Sequence, residues 1–253
     1  SNISVLLTHG FMEAVENDSE FDLKWNDQVY KTINARQLWN KIIEHAHTSA
    51  EPGLIFWDTM TDYHNAEYCS PLVSTNPCAE QPLPDGGCCN LGSINLARFL
   101  VEGDSGLEVD YDHLGDVVRT TTRFLDNVID ANAYSVLQIE KMTRATRKTG
   151  LGVMGFADML TRMRIPYDSD EGLELGRKIM RFVKEEADRT SEDLAGERGV
   201  FPAFEGSIYD APGKPKMRNA CRLTVAPTGT ISMIAGCSSG IEPLFALSYH
   251  KHN

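Results

Sequence analysis

No apolar run in this 253-residue chain approaches the roughly 18 residues of a spanning helix, and Ser1-Asn2-Ile3-Ser4-Val5 lacks a signal-peptide pattern. Basic charge is also scarce: 24 Lys and Arg stand against 36 Asp and Glu, a formal net charge of −12. That balance argues against binding a nucleic-acid polymer or an anionic membrane, and leaves room for a small anionic substrate held by backbone amides. Cysteines number six (Cys69, Cys78, Cys88, Cys89, Cys221, Cys237), too few and too unevenly placed for a secreted disulfide scaffold. Among the first four there is no C-x-x-C pair of the kind that signals structural zinc. Internal repeats, low-complexity tracts and long linkers are missing too, so no domain boundary is visible. What remains is a cytoplasmic globular enzyme with reduced or redox-active thiols, whose 42% hydrophobic residues suffice for a substantial core.

Apolar patterning alternates between strand and helix. Ile3 to Leu7 reads as a strand that Thr8 ends as an N-cap, with a helix over 11–15. Asn34 to Gln37 has capping-box spacing and opens a helix that closes near Pro52-Gly53, before a strand over 54–57. Further strands are expected within 89–96, 151–156 and 222–226, and helices over 111–133 and 170–196. The alternation predicts an α/β fold on a mostly parallel sheet.

The most informative stretch is Ser74-Thr75-Asn76-Pro77-Cys78-Ala79-Glu80-Gln81-Pro82-Leu83. Pro77, Pro82 and Pro84 fix φ and remove backbone donors, so the segment is expected to project as a stiff loop and not to run as helix or central strand. In an extended tip, residues two apart share a face, which would converge the Asn76 amide, the Cys78 thiol and the Glu80 carboxylate on one substrate-sized volume. Thiolate catalysis needs a base, and the nearest histidine, His64, has no special spacing to Cys78. A thiol between Asn and Glu suits hydrogen-atom chemistry better than acyl transfer.

Other motifs carry less. Adjacent Cys88 and Cys89 are poorly placed to bond one another, so each needs its own partner. Gly150-Leu151-Gly152-Val153-Met154-Gly155 matches the dinucleotide fingerprint, but a polar, basic stretch (141–148) precedes it where a strand should be, and close packing of a barrel strand explains the glycines more simply. Pro227-Thr228-Gly229-Thr230-Ile231-Ser232 follows a strand with amides and hydroxyls suited to an anion at a helix start. No function follows from the residues 237–243.

Taken together, Asn76 to Glu80, Cys89 to Leu96, Arg147 to Asp158 and Ala226 to Pro243 resemble, in this order, the catalytic barrel of ribonucleotide reductase large chains, with wording most similar to the adenosylcobalamin-dependent class. The resemblance spans essentially the whole chain. It implies part of a ten-stranded α/β barrel, one domain over 1–253, with a central finger loop carrying a radical cysteine. Cys78 would then be the thiyl radical that takes the 3′ hydrogen of the ribose, Glu80 the base at the 3′ hydroxyl, and Asn76 a hydrogen-bonding partner of the sugar. Cys89 would be one of two thiols that supply the reducing electrons. Residues Pro227, Thr228, Gly229, Thr230, Ile231 and Ser232 would hold the substrate phosphates. The implied cofactor is adenosylcobalamin and the implied substrate a ribonucleoside di- or triphosphate. A thioredoxin-like or dithiol reductant would be the redox partner, and a homodimer stays open.

On this resemblance the chain is an internal fragment. The disulfide partner of Cys89, the effector region and the re-reducing tail are expected outside it. Cys221 stands where the family would have a hydroxyl or small residue, and Cys88 doubles a single expected cysteine. The metal-radical class that draws on a second subunit shares the barrel, a glycyl-radical enzyme fits less well, and a non-catalytic nucleotide-binding or zinc-stabilised module is the reading from another class.

Overall fold

The computed structural model describes residues 3–104, 106–246 and 248. The chain divides into two compact units, Ser1–Glu67 and Tyr68–Asn253.

In the first unit β1 (Ser4–Leu7) leads into α1 (His9–Glu16), whose first turn is capped by Thr8 Oγ1 accepting from the Phe11 amide at 3.2 Å. β2 (Glu20–Trp25) and β3 (Gln28–Asn34) form an antiparallel hairpin absent from the sequence reading. Its two-residue turn, Asn26-Asp27, has φ of 47° and 63°, the left-handed pair that matches the twist of a tight hairpin. α2 (Ala35–Ser49) is capped as expected, Asn34 Oδ1 accepting from the Gln37 amide at 2.8 Å. β4 (Gly53–Phe56) then returns parallel to β1, with Ser4 opposite Gly53, and α3 (Trp57–Asp62) follows. Leu7, Phe11, Ala14, Val15 and Ala35 form the core here.

The second unit opens with the hairpin β5 (Leu72–Thr75) and β6 (Pro82–Pro84). β7 (Leu91–Asn95), a second hairpin of β8 (Leu100–Gly103) and β9 (Gly106–Val109), α4 (Tyr111–Ala131) and α5 (Leu137–Thr146) follow. β10 (Gly150–Met154), α6 (Phe156–Met163), α7 (Asp170–Arg198) and α8 (Gly229–Ala235) complete the order. β10 lies parallel to β7, Gly150 opposite Leu91 through Met154 opposite Asn95. All five β10 residues are buried, as a strand covered on both faces requires. The core joins Ile94 and Val153 of this sheet to Leu114, Val118 and Leu125 of α4 and to Ile179, Val183 and Ala187 of α7.

Two expectations need revision. The fold is mixed α and β, but among the described residues the strands form five two-stranded sheets, two of them parallel, and no closed barrel. The expected strand over 222–226 is a single parallel bridge, Leu223 with Leu151, held by Leu151 N donating to Arg222 O (2.8 Å) and Thr224 N to Leu151 O (3.1 Å).

The corner between α5 and β10 is fixed by charge. Asp126 of α4 is fully buried; its Oδ1 accepts from Arg147 Nε (2.9 Å) and Asn219 Nδ2 (3.0 Å), and its Oδ2 from Arg198 Nη1 (3.0 Å) and Arg218 Nε (3.4 Å). Arg147, itself left-handed at φ 47°, also bonds Asp130 with both terminal nitrogens. A buried carboxylate is tolerated only when so saturated with donors.

Candidate active site at the Cys78 hairpin

The loop joining β5 to β6 is built by its own residues. Asn76 N–H donates to Gln81 O (3.2 Å), Gln81 N–H donates to Asn76 Oδ1 (2.9 Å), and Ala79 N–H donates to Asn76 O (3.0 Å), with Ala79 left-handed at φ 65°. The tip is therefore a closed turn, not an extended strand, and the two-residue spacing does not by itself align Asn76, Cys78 and Glu80. The Asn76 oxygen is spent inside the loop, which leaves its Nδ2 donors for a ligand. Pro82 and Pro84 lie in β6, a strand of a two-stranded sheet where a missing donor is tolerated.

Cys78 is exposed on this tip, and no two of the six cysteines are joined in a disulfide. Glu80 is anchored through its main chain, its carbonyl accepting from Thr224 Oγ1 at 2.5 Å, while its Oε2 is buried with no hydrogen-bond partner. Gln81, only 5% exposed, also buries an Oε1 without a partner. Cys89 lies just before β7. Although the residue is exposed overall, its thiol is pushed up from the ordinary range, first by partial burial, then by the Glu80 carboxylate and then by Cys88. Glu80 and Cys89 are thus electrostatic neighbours, and Cys89 holds its proton at neutral pH. Cys88 turns elsewhere, its Sγ 3.1 Å from Thr143 Oγ1 of α5.

The glycines of the fingerprint are packing glycines. A Cβ on Gly150 would lie 2.5 Å from Thr224 Cγ2 and 2.6 Å from Leu91 Cδ2, and one on Gly152 would lie 2.2 Å from the Thr224 carbonyl oxygen. The preceding residues belong to helix α5, and Gly150 and Gly152 lie inside β10 with only Gly155, at φ 73°, in the turn to α6, so the glycines do not follow a strand as those of a dinucleotide site do.

Residues 227–232 turn into α8 and leave fewer groups free for an anion than the sequence suggests. Thr228 Oγ1 accepts from Gly240 N (2.8 Å), and Ser232 Oγ lies 2.9 Å from Ser239 Oγ, so both hydroxyls close the 228–240 loop on itself. Pro227 has no N–H to give. The exposed Gly229, Thr230 and Ile231, whose first-turn amides lack helical acceptors, and the Thr230 hydroxyl are what an anion could meet. The stretch 237–243, silent in the sequence, laces this loop to β10 and α6: Gly155 N donates to Ser238 O (2.8 Å) and Ser238 N to Asp158 Oδ2. Thr224, Gln81 and Ser238 carry no sequence signal, since their partners lie far along the chain or are missing.

Among the described residues no three His, Cys, Asp or Glu side chains are grouped to hold a metal ion, and no helix is long and apolar enough to cross a membrane. The family model of the ribonucleotide reductase barrel domain matches residues 1–216 and 212–253. The chain belongs to the ribonucleotide reductase barrel-domain family. It is 51% identical over 253 residues to a vitamin B12-dependent ribonucleoside-diphosphate reductase of Thermoplasma acidophilum, covering 99% of this chain and 32% of that protein. A protein of the same name from Mycobacterium tuberculosis is 43% identical over 252 residues, with 99% and 36% covered. A ribonucleoside-diphosphate reductase subunit alpha of Chlamydia pneumoniae is 29% identical over 266 residues, with 89% and 25% covered. This barrel-domain chain spans about a third of the length of the B12-dependent relatives it matches.

Proposed function

We propose that this chain is the catalytic barrel portion of a cytoplasmic enzyme that reduces ribonucleoside di- or triphosphates to 2′-deoxyribonucleotides by thiyl-radical chemistry. The observation that carries the reading is the 51% identity along 99% of the chain to a reductase named as B12-dependent. The same relatives favour the adenosylcobalamin class over the subunit-dependent one, since the alpha-subunit relative is more distant at 29%. In the parent, the remaining strands would complete the ten-stranded barrel around the Cys78 hairpin as its finger loop.

The residues fit the cofactor in one respect that matters: Cys78 is an exposed, unbridged thiol on a tip stiffened by Pro77 and by the Asn76–Gln81 bonds, reachable by a bulky group. Cys78 is the residue that would meet adenosylcobalamin, which when bound supplies the radical. The chain's own groups do the rest. The Cys78 sulfur radical takes the 3′ hydrogen atom. The buried, unpartnered Glu80 Oε2 is an acceptor for the 3′ hydroxyl proton. Asn76 Nδ2 donates to the sugar while the 2′ hydroxyl leaves as water. Cys89, protonated at neutral pH, delivers one hydrogen and ends in a disulfide with a thiol outside this chain, which an external dithiol such as a thioredoxin-like protein re-reduces. The amides of Gly229 to Ile231 receive the phosphates.

The test is the full-length parent assayed for deoxynucleotide formation with a dithiol, with and without adenosylcobalamin. Formation that requires the cofactor and disappears in Cys78→Ser, with nucleotide binding retained, is the expected result. Activity restored only by a diiron subunit would move the enzyme to the other class, and turnover by Cys78→Ser would remove the assigned role.

A further inference from the structure

Thr224 is bonded in two directions at once. Its main chain lies on β10, N–H to Leu151 O at 3.1 Å, with its carbonyl oxygen filling the space that a Cβ on Gly152 would need. Its side chain points the other way: Oγ1 donates to Glu80 O at 2.5 Å, across 144 residues of sequence, and Cγ2 rests over the bare Cα of Gly150. Three residues later the same segment becomes the 227–232 turn. One residue thus links the tip carrying Cys78 and Glu80 to the turn with the exposed amides, through a strand, β10, that is buried along its whole length.

We propose that Thr224 is a positioning residue, whose hydroxyl clasps the Glu80 main chain and sets the separation between the sugar-facing tip and the anion-facing turn. The kinetic consequence rests on the reductase reading. A substrate gripped at its phosphate presents its ribose at one fixed reach, and the Glu80 carboxylate must stand at that reach. Misplacement of about 1 Å between reacting groups costs on the order of a hundredfold in rate, whereas phosphate binding at the turn is unaffected by where the tip lies. The clasp therefore belongs to kcat and not to KM.

Two substitutions separate the hydroxyl from the packing. Thr224→Val keeps the branched shape over Gly150 and removes the donor, while Thr224→Ser keeps the donor and removes the methyl. In the full-length parent, Thr224→Val is expected to lower kcat roughly ten- to a hundredfold with KM within about twofold, and Thr224→Ser to keep most of the rate. A second readout needs no turnover. In a Cys88→Ser background the pH profile of Cys89 alkylation reports the Glu80 carboxylate among its causes, and loosening the tip lets that carboxylate move away. Thr224→Val should shift that profile to lower pH, and Thr224→Ser should not. The proposal is overturned if Thr224→Val leaves the alkylation profile unchanged, or if Thr224→Ser shifts it as far as Thr224→Val does. If the wild-type parent reduces no ribonucleotide, the reductase reading fails while the alkylation profiles still decide the clasp.

Discussion

Replacing Gly152 by Ala should destabilise the protein, against the usual expectation for glycine in a strand. The added Cβ would stand 2.2 Å from the Thr224 carbonyl oxygen and 3.2 Å from its carbon. Carbon–oxygen contacts settle near 3.3 Å, so the 221–226 segment must retreat by about 1 Å. Both partners are backbone, and β10 is buried along its whole length, so no side chain can swing aside. Overpacking of this kind costs about 1–3 kcal/mol. Stretching the Thr224–Leu151 bond adds roughly 0.5–1.5 kcal/mol. The lost freedom of the unfolded chain returns only about 0.4–1 kcal/mol. The net is a destabilisation near 2 kcal/mol, or roughly 4–8 °C in Tm for a chain of this size. Gly196 of α7 is the control, because a Cβ there meets nothing within 4 Å; Gly196→Ala should be neutral or stabilising by up to about 1 kcal/mol. Thermal unfolding of both variants beside wild type decides the matter. A Gly152→Ala protein as stable as wild type would refute the close approach of Thr224 to β10, and with it the packing account of the glycine fingerprint.

Glu80→Gln should move the pH midpoint of Cys89 alkylation downward, because it removes a carboxylate that disfavours the thiolate; burial still keeps the midpoint above that of an ordinary thiol, and an unmoved midpoint would separate the two residues. Asp126→Ala should cost about 3–5 kcal/mol in denaturant unfolding, since it leaves Arg147 and its neighbours without their buried acceptor; a cost below about 1 kcal/mol would show that water reaches the corner.

The elements whose causes are local were legible in the sequence. Thr8 and Asn34 announce the starts of α1 and α2 and are found accepting the bonds that caps accept, and the apolar spacing in α4 and α7 gives those helices to within a few residues. Hairpins were less visible: β2 and β3 lack clean alternation, and the Asn26-Asp27 turn that joins them carries no glycine. Residues 222–226 have strand composition, yet pairing stops after one bridge. At the tip, the prolines pointed to a loop, but Pro82 and Pro84 lie in β6, and Asn76 folds the turn by bringing its own side chain onto the backbone, the competition that short amides offer. That bond makes the geometry of Cys78 a property of the turn and not of strand periodicity. The union of Glu80 with Thr224 could not be read at all, since nothing local marks two residues 144 positions apart.

The arginine-saturated Asp126 has a consequence for the order in which the protein is made. Its last two partners, Arg218 and Asn219, follow it by 92 and 93 residues. At roughly 5–20 residues per second, a ribosome leaves about 5–20 s between the carboxylate and the donors that complete its shell. During that interval α4 and α5 are already synthesised, but the carboxylate in the corner they share with β10 lacks two of its four side-chain donors, Arg198 having joined Arg147 72 residues after Asp126. The nascent barrel segment must therefore keep this corner wet until residue 219 has emerged, and the bridge of Leu223 to Leu151, only four residues later, can then close in the same event.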